Sequence, residues 1–207
     1  MIDVKKKRNF NLRMKKAPFA IFSLVTVLVI ASAISVFGFG DTRWVYTEQG
    51  ALEIAQDAVL FLNFLLFLIA VLMPGAKSER TITAFFTVLS YAFILRELDF
   101  EKMGFDENLV WLFHGKGRNI SVALLFGIVI MFALANFKAN LNKSIDYIKS
   151  KRGIILILGG ILCVIGGTCE KHAGVNGEFF EESFELYGYA CITTVAILTL
   201  RKFLKCS

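Results

Sequence analysis

Residues 51–73, ALEIAQDAVLFLNFLLFLIAVLM, decide the fold class because only four polar side chains interrupt this apolar run: Glu53, Gln56, Asp57 and Asn63. A helix of this length rises about 35 Å, enough to cross a hydrocarbon core about 30 Å thick. The whole chain has the same character, since 56% of its 207 residues are hydrophobic and 19% are charged. That is too apolar for a soluble domain of this size, and we therefore predict an integral membrane protein.

Five further stretches have the length and composition of a membrane span. The sequence predicts an all-helical polytopic protein with a bundle of about six transmembrane helices, over about 18–39, 51–73, 81–102, 119–137, 153–169 and 178–200. No linker separates a soluble part, so residues 1–207 form one membrane domain. The first run also fits a cleaved secretory signal because Ala31-Ser32-Ala33 resembles a cleavage site. Its length favours a retained helix. Pairs of glycines in the fifth span predict close helix contact.

Basic residues predict the orientation of the bundle. If the basic leader 1–16 is cytoplasmic, 17 of the 23 lysines and arginines fall on the cytoplasmic side. The positive-inside rule then places both termini in the cytoplasm, in the plasma (cytoplasmic) membrane, which is the inner membrane of a cell that has two. Anionic lipid is a sufficient partner for this basic face, and no nucleic acid is required. By contrast, 14 of the 17 acids fall on the outer side.

Several of these acids lie at one depth in the membrane. Asp57, Glu97 and Glu185 stand about 24–26 Å above the inner boundaries of their spans, just below the outer edge of the hydrocarbon core. The last span also carries acids at i, i+3, i+4 and i+7 from Glu178, a stripe that is costly to expose to lipid. We predict a polar site beneath the outer surface, where seven side chains converge: Glu53, Asp57, Arg96, Glu97, Asp99, Glu182 and Glu185.

The predicted site contains more carboxylates than its single arginine balances. Such an excess indicates either protonated carboxyl groups or a bound divalent cation. Oxygen ligands favour Ca²⁺, Mg²⁺ or Mn²⁺, and Zn²⁺ becomes a candidate if histidines join them. We assign the metal ligands to Glu53, Asp57, Glu182 and Glu185. The structural alternative is a solvated acidic rim in which Arg96 makes a helix-bundle salt bridge.

Residues 104–119, GFDENLVWLFHGKGRN, are too short and too mixed to span the membrane and predict an interfacial or re-entrant segment. This segment carries His114, and the next outer connection carries His172. A histidine in a connection is more often solvent-facing, although either one is also a candidate base or ligand. We assign catalytic roles to Glu97, Asp99, His114 and His172. Substrate contacts are assigned to Gln56, Arg96, Lys116 and Arg118.

Two classes of function are consistent with such a site. The first is a metal-assisted hydrolase or transferase that acts on a lipid or another amphiphile in the outer leaflet. The second is not enzymatic: a proton- or cation-linked transporter, or a membrane protein that binds a partner. A transporter needs a polar route to the cytoplasm, yet below Asp57 the second span offers only Asn63. This pattern favours a site that opens only to the extracytoplasmic face and leaves open whether the protein is an enzyme.

Overall fold

A computed structural model describes residues 2–38, 50–74, 79–98, 115–172 and 177–206, and four isolated positions between 106 and 113. Within these residues the chain is helical, with no strand. The helices are α1 (Ile2–Gly38), α2 (Ala51–Leu72), α3 (Arg80–Glu97), α4 (Gly115–Ala135), α5 (Phe137–Lys149), α6 (Lys151–His172) and α7 (Gly177–Cys206).

Five of the described helices are long and apolar enough to cross a membrane, and they coincide with five of the predicted spans. The prediction of an all-helical polytopic membrane protein is therefore confirmed. The five segments are Lys16–Gly38, Ala51–Leu72, Gly115–Ala135, Lys151–Cys169 and Gly177–Lys205.

Helix α3 occupies the third predicted span but is not among the five described helices that are long and apolar enough to cross a membrane, so the sixth span stays a prediction. Helix α3 has 18 residues, which rise about 27 Å, and charged side chains stand at both of its ends. The helix ends at Glu97, where Leu98 turns to extended backbone, rather than at residue 102 as predicted. Asp99 lies outside the described residues.

Helix α7 lies at the centre of the bundle. It packs against α6, α2 and α1, and its side chains are buried along most of its length. Tyr189 and Val195 share a core cluster with Leu60 and Phe67 of α2 and Phe86 of α3. Helix α4 instead lies at the periphery, where it packs against α3 and α5.

Glycine allows α6 and α7 to approach closely. A Cβ atom on Gly188 would lie 2.4 Å from the Cys163 sulfur, and one on Gly159 would lie 2.9 Å from Cys191 Cβ. Gly166 makes a similar approach to Glu185, whereas Gly160 faces open space. The prediction that these glycines permit close helix contact is therefore correct for one member of each pair.

Helix α5 was not predicted. Helix α4 ends at Ala135, Asn136 leaves the helical conformation, and the Asn140 side-chain amide donates to the Ala133 carbonyl oxygen at 3.0 Å. The chain then forms a second helix, which is too short to span the membrane. The sequence did not predict it because its apolar residues do not form a run of spanning length. The fourth span begins earlier than predicted, at Gly115.

Candidate functional site: a carboxylate cluster and a lateral groove

The first turns of α2 and α7 meet the last turn of α3 at one end of the bundle. Polar side chains from these three helices form a group that we call the carboxylate cluster: Gln56, Arg96, Glu97, Glu182, Glu185 and Tyr189. Five of these six residues are among those that the sequence assigned to the site.

Arg96 connects two carboxylates that come from different helices. Its Nε donates to Glu97 Oε1 at 2.8 Å, and its Nη2 donates to the two oxygens of Glu185 at 3.2 and 3.3 Å. The Tyr189 hydroxyl lies 3.2 Å from Glu185 Oε2 and 3.3 Å from Glu97 Oε1, close enough to donate to either. The side chain of Glu185 is 7% exposed, whereas that of Arg96 is 54% exposed. The arginine therefore holds a buried carboxylate while part of its guanidinium group faces outward.

Two amide side chains fix α2 against α7. Gln56 donates to the carbonyl oxygen of Glu182 at 2.8 Å and also to its carboxylate. Asn63, seven residues further along α2, donates to the carbonyl oxygen of Tyr189 at 3.3 Å. Because the two partners on α7 are also seven residues apart, both bonds fit one register of two parallel helices. Buried polar contacts of this kind select one register over its neighbours.

The predicted metal ligands are not all brought together. Glu182 and Glu185 stand one turn apart on α7, and Glu53 and Asp57 stand one turn apart on α2. Asp57 Oδ1 is buried without a hydrogen-bond partner. Among the described residues, no three histidine, cysteine, aspartate or glutamate side chains lie close enough together to hold a metal ion. The ligand set Glu53, Asp57, Glu182 and Glu185 stays a prediction.

The remaining predicted residues are only partly placed. Lys116 and Arg118 lie in the first turns of α4, not in a separate segment, and Arg118 donates to the Leu95 carbonyl oxygen at 3.2 Å. Asp99 and His114 lie outside the described residues. His172 ends α6 rather than standing in a connection, and its side chain also lies outside the described part of the chain. Of the four predicted catalytic side chains, only Glu97 is placed.

A lateral groove leads from the carboxylate cluster along the bundle. It is a cavity of about 390 Å³ between α3 and α6, and α7 forms its floor. Arg96, Glu185 and Tyr189 line it at the cluster end, while the rest of the wall is mainly apolar and includes Phe93 and Leu156. Sequence analysis missed the groove because it depends on which helices are neighbours. Tyr189 was also missed, although it stands one turn after Glu185 on the acidic stripe.

A second group of charged and polar side chains lies at the opposite end of the bundle, and we call it the Glu79 cluster: Glu79, Tyr147, Arg152, Thr199 and Lys202. Arg152 donates to both oxygens of Glu79 at 2.8 and 3.0 Å, and to Thr199 Oγ1 at 3.2 Å. Its guanidinium carbon lies 4.9 Å from the centre of the Tyr147 ring. Lys202 pairs with the same carboxylate.

Glu79 is ionised in this setting. Burial raises the pKa of its carboxyl group, but hydrogen bonds from Arg152 and Lys202 outweigh burial and hold the pKa below its usual value. Burial raises the pKa of Tyr147, whose ring packs against Phe86 of α3. Sequence analysis did not single out Glu79 because its partners are distant along the chain.

The chain is thus a multi-pass helical membrane protein with a polar cluster at each end and an apolar groove that begins at one of them. No protein-family model, curated protein or solved structure matches it. Its function is therefore argued from these two clusters and the groove.

Proposed function

We propose that the protein binds a lipid or another amphiphile in the lateral groove, with the polar part of that molecule at the carboxylate cluster. The observation that carries this proposal is the position of the groove: an apolar cavity between α3 and α6 ends at the half-exposed guanidinium of Arg96. A hydrocarbon chain that enters from lipid leaves no water, so it is held by packing, at about 0.1–0.2 kcal/mol for each pair of heavy atoms in contact with the groove wall. A hydrocarbon chain therefore suits the groove, and a charged or hydrogen-bonding group suits its end.

The charges of the cluster indicate which polar group would fit. Two carboxylates, Glu97 and Glu185, bond to the single arginine, and a third, Glu182, bonds to Gln56. A head group that donates hydrogen bonds, such as an amine or a set of hydroxyls, complements the carboxylates. An anionic oxygen beside it complements Arg96. A zwitterionic lipid with a primary amine, such as phosphatidylethanolamine, has both features.

A hydrolase or transferase reaction on the bound amphiphile is the enzymatic form of this proposal. In that case Glu97 is the candidate general base among the described residues, since it forms hydrogen bonds with Arg96 and Tyr189. The cation predicted from the sequence would offset the excess of carboxylates and supply an activated water. Calcium, magnesium or manganese would suit these oxygen ligands.

One observation favours the transporter alternative. Buried polar side chains lie between the two clusters, on α2, α3 and α7: Asn63, Thr83, Thr87, Ser90, Thr193 and Thr194. Most of the threonine hydroxyls, however, donate to carbonyl oxygens of their own helix, as Thr87 does to Thr83 and Thr193 does to Tyr189. Such bonds stabilise a helix interior and do not form a relay between helices. This arrangement supports the proposal of a one-sided site.

We also propose that the carboxylate cluster faces the extracytoplasmic side of the plasma membrane and that both termini are cytoplasmic. Lysines and arginines at the opposite end of the described helices support this orientation. Reporter fusions at residues 45 and 146 provide the test, and we expect residue 45 to report outside and residue 146 inside. The same location for both residues would contradict the proposed topology.

A larger side chain that fills the groove tests whether the lipid binds there. Gly160 lines the groove, and a Cβ atom there would meet no atom within 4 Å, so Gly160→Leu should fold and occupy the cavity. We expect this change to weaken binding of a fluorescent phosphatidylethanolamine to the purified protein by at least about tenfold. The expectation follows from the loss of about ten contacts between the lipid chain and the groove wall, at about 0.1–0.2 kcal/mol each. Equilibrium fluorescence titration in detergent micelles measures the effect.

Gly167→Leu is the matched control, since Gly167 also faces open space on α6 but does not line the groove. We expect its affinity to equal that of the unchanged protein. Equal loss in the two leucine variants, or no loss in either, would contradict binding in the groove.

A further inference from the structure

A second cavity, of about 280 Å³, lies at the Glu79 end of the bundle, and the proposed function does not use it. We propose that this cavity binds the phosphate group of an anionic phospholipid. Three cations and two carboxylates line it: Lys143, Arg152 and Lys202, with Glu79 and Asp146. Cavities of this kind between membrane helices, rich in basic residues, suit lipid phosphates.

The structure holds the cations of the cavity in place. Glu79 pairs with both Arg152 and Lys202, so one carboxylate fixes two positive groups at the cavity wall. Arg152 is 12% exposed and Lys202 is 46% exposed, which leaves the lysine accessible to a ligand. Because the cations outnumber the carboxylates, a bound phosphate would offset the remaining positive charge. Charge-assisted hydrogen bonds from lysine and arginine to phosphate are stronger than neutral ones.

Helix α5 places this cavity beside a surface suited to acyl chains. Its large apolar side chains recur at i, i+4, i+8 and i+11 and are all exposed: Phe137, Leu141, Ile145 and Ile148. This spacing puts them on one face of the helix. Tyr147 is buried against the bundle on the other side, and Lys143 stands one turn before it. A helix with this division lies along a membrane interface, its apolar face among lipid chains.

The position of α5 favours a lipid over free phosphate as the occupant. A phospholipid whose chains lie beside the apolar face of α5 can place its phosphate near Lys143, which lines the cavity. Further basic residues stand at the same end, in the last two turns of α7 and around the α5–α6 turn: Lys149, Lys151, Arg201 and Lys205. Their positive charge attracts anionic lipid to this end of the bundle.

The test measures the melting temperature of the detergent-solubilised full chain with three additives: phosphatidylglycerol, phosphatidylcholine and inorganic phosphate. At a lipid concentration about a hundred times the dissociation constant, we expect phosphatidylglycerol to raise the melting temperature by about 5–10 °C. We expect little change with the other two. Lys143→Gln should weaken the response to phosphatidylglycerol about tenfold in concentration, because it removes a charge-assisted bond.

Lys138→Gln is the matched control, since Lys138 is exposed on the same helix and does not line the cavity. It removes the same charge and should leave the response unchanged. Equal weakening in both variants would mean that the lipid is attracted by the overall positive charge of this surface and not by the cavity, and would overturn the proposal. An equal rise with phosphatidylcholine would overturn it as well, and an equal rise with inorganic phosphate would overturn the assignment to a lipid. Gly160→Leu should keep the full response, which separates this site from the groove.

Discussion

Glu79→Gln is expected to lower the free energy of unfolding by about 3–5 kcal/mol, which corresponds to about 6–20 °C in melting temperature. The reason is that Glu79 pairs with two cations, and its side chain and that of Arg152 are only 14% and 12% exposed. Removal of the carboxylate charge leaves a buried guanidinium without its counter-charge. The bond also joins the start of α3 to the start of α6, so its loss loosens contacts between distant parts of the chain. Thermal unfolding in detergent measures the change.

Asp146→Asn is the matched control for this prediction, since Asp146 lines the same cavity but is exposed. An exposed acid contributes less to stability, and we expect the free energy of unfolding to change by at most about 1 kcal/mol. Equal losses in the two variants would contradict a special role for Glu79.

The response of stability to pH provides a second check. The folded-state pKa of Glu79 lies below its usual value of 4.5, so its contribution to stability is present above about pH 4.5 and is lost as pH falls below it. Glu79→Gln should remove that part of the dependence on pH.

Gly153→Ala is expected to destabilise the protein by about 3 kcal/mol, through the turn between α5 and α6. A Cβ atom at Gly153 would lie 2.2 Å from the Tyr147 carbonyl oxygen and 2.4 Å from that of Ile148. Both neighbours are backbone atoms, which cannot move aside as a flexible side chain can. The two helices would have to separate, and the bond from the Ser150 hydroxyl to Tyr147 would be strained. Melting temperature and yield of folded protein measure the effect.

Gly160→Ala is the control for this substitution, because its Cβ would meet open space. Alanine is favoured over glycine inside a helix by about 0.5–1 kcal/mol, so the control should be neutral or slightly stabilising. The two changes are thus expected to have opposite signs. A neutral result for Gly153→Ala would show that the turn is less tightly packed than the structure indicates.

The fold was largely predictable because long apolar runs have few ways to bury their backbone except as spanning helices. Helix α2 shows this directly: the predicted 51–73 and the observed Ala51–Leu72 differ by one residue. Helix α5 was missed because its apolar residues are spaced around one face rather than continuous. The end of α3 was misplaced because charged residues near an interface do not mark where a helix stops.

The sequence predicted how deep in the membrane the site residues lie, but not which way their side chains point around each helix. Counting residues from the inner boundary placed Glu97 and Glu185 at one level, and the structure joins both to Arg96. The same count cannot say which way a side chain points around its helix. Gln56 contacts Glu182, whereas one oxygen of Asp57, the next residue, is buried without a partner. The groove and the Glu79 cluster could not be predicted from the sequence because they depend on α6 lying beside α7 and near α3.

The central position of α7 also constrains how the protein is made. Ribosomes produce α1 to α6 before α7, yet α1 and α2 both pack against α7 far more than against each other. During synthesis these early helices enter the bilayer without their main partner. Polar side chains that α7 later covers, such as Gln56 and Asn63, remain in contact with lipid, water or an insertion factor until α7 is inserted. Assembly of this bundle is therefore a late event, completed only when the last described helix enters the membrane.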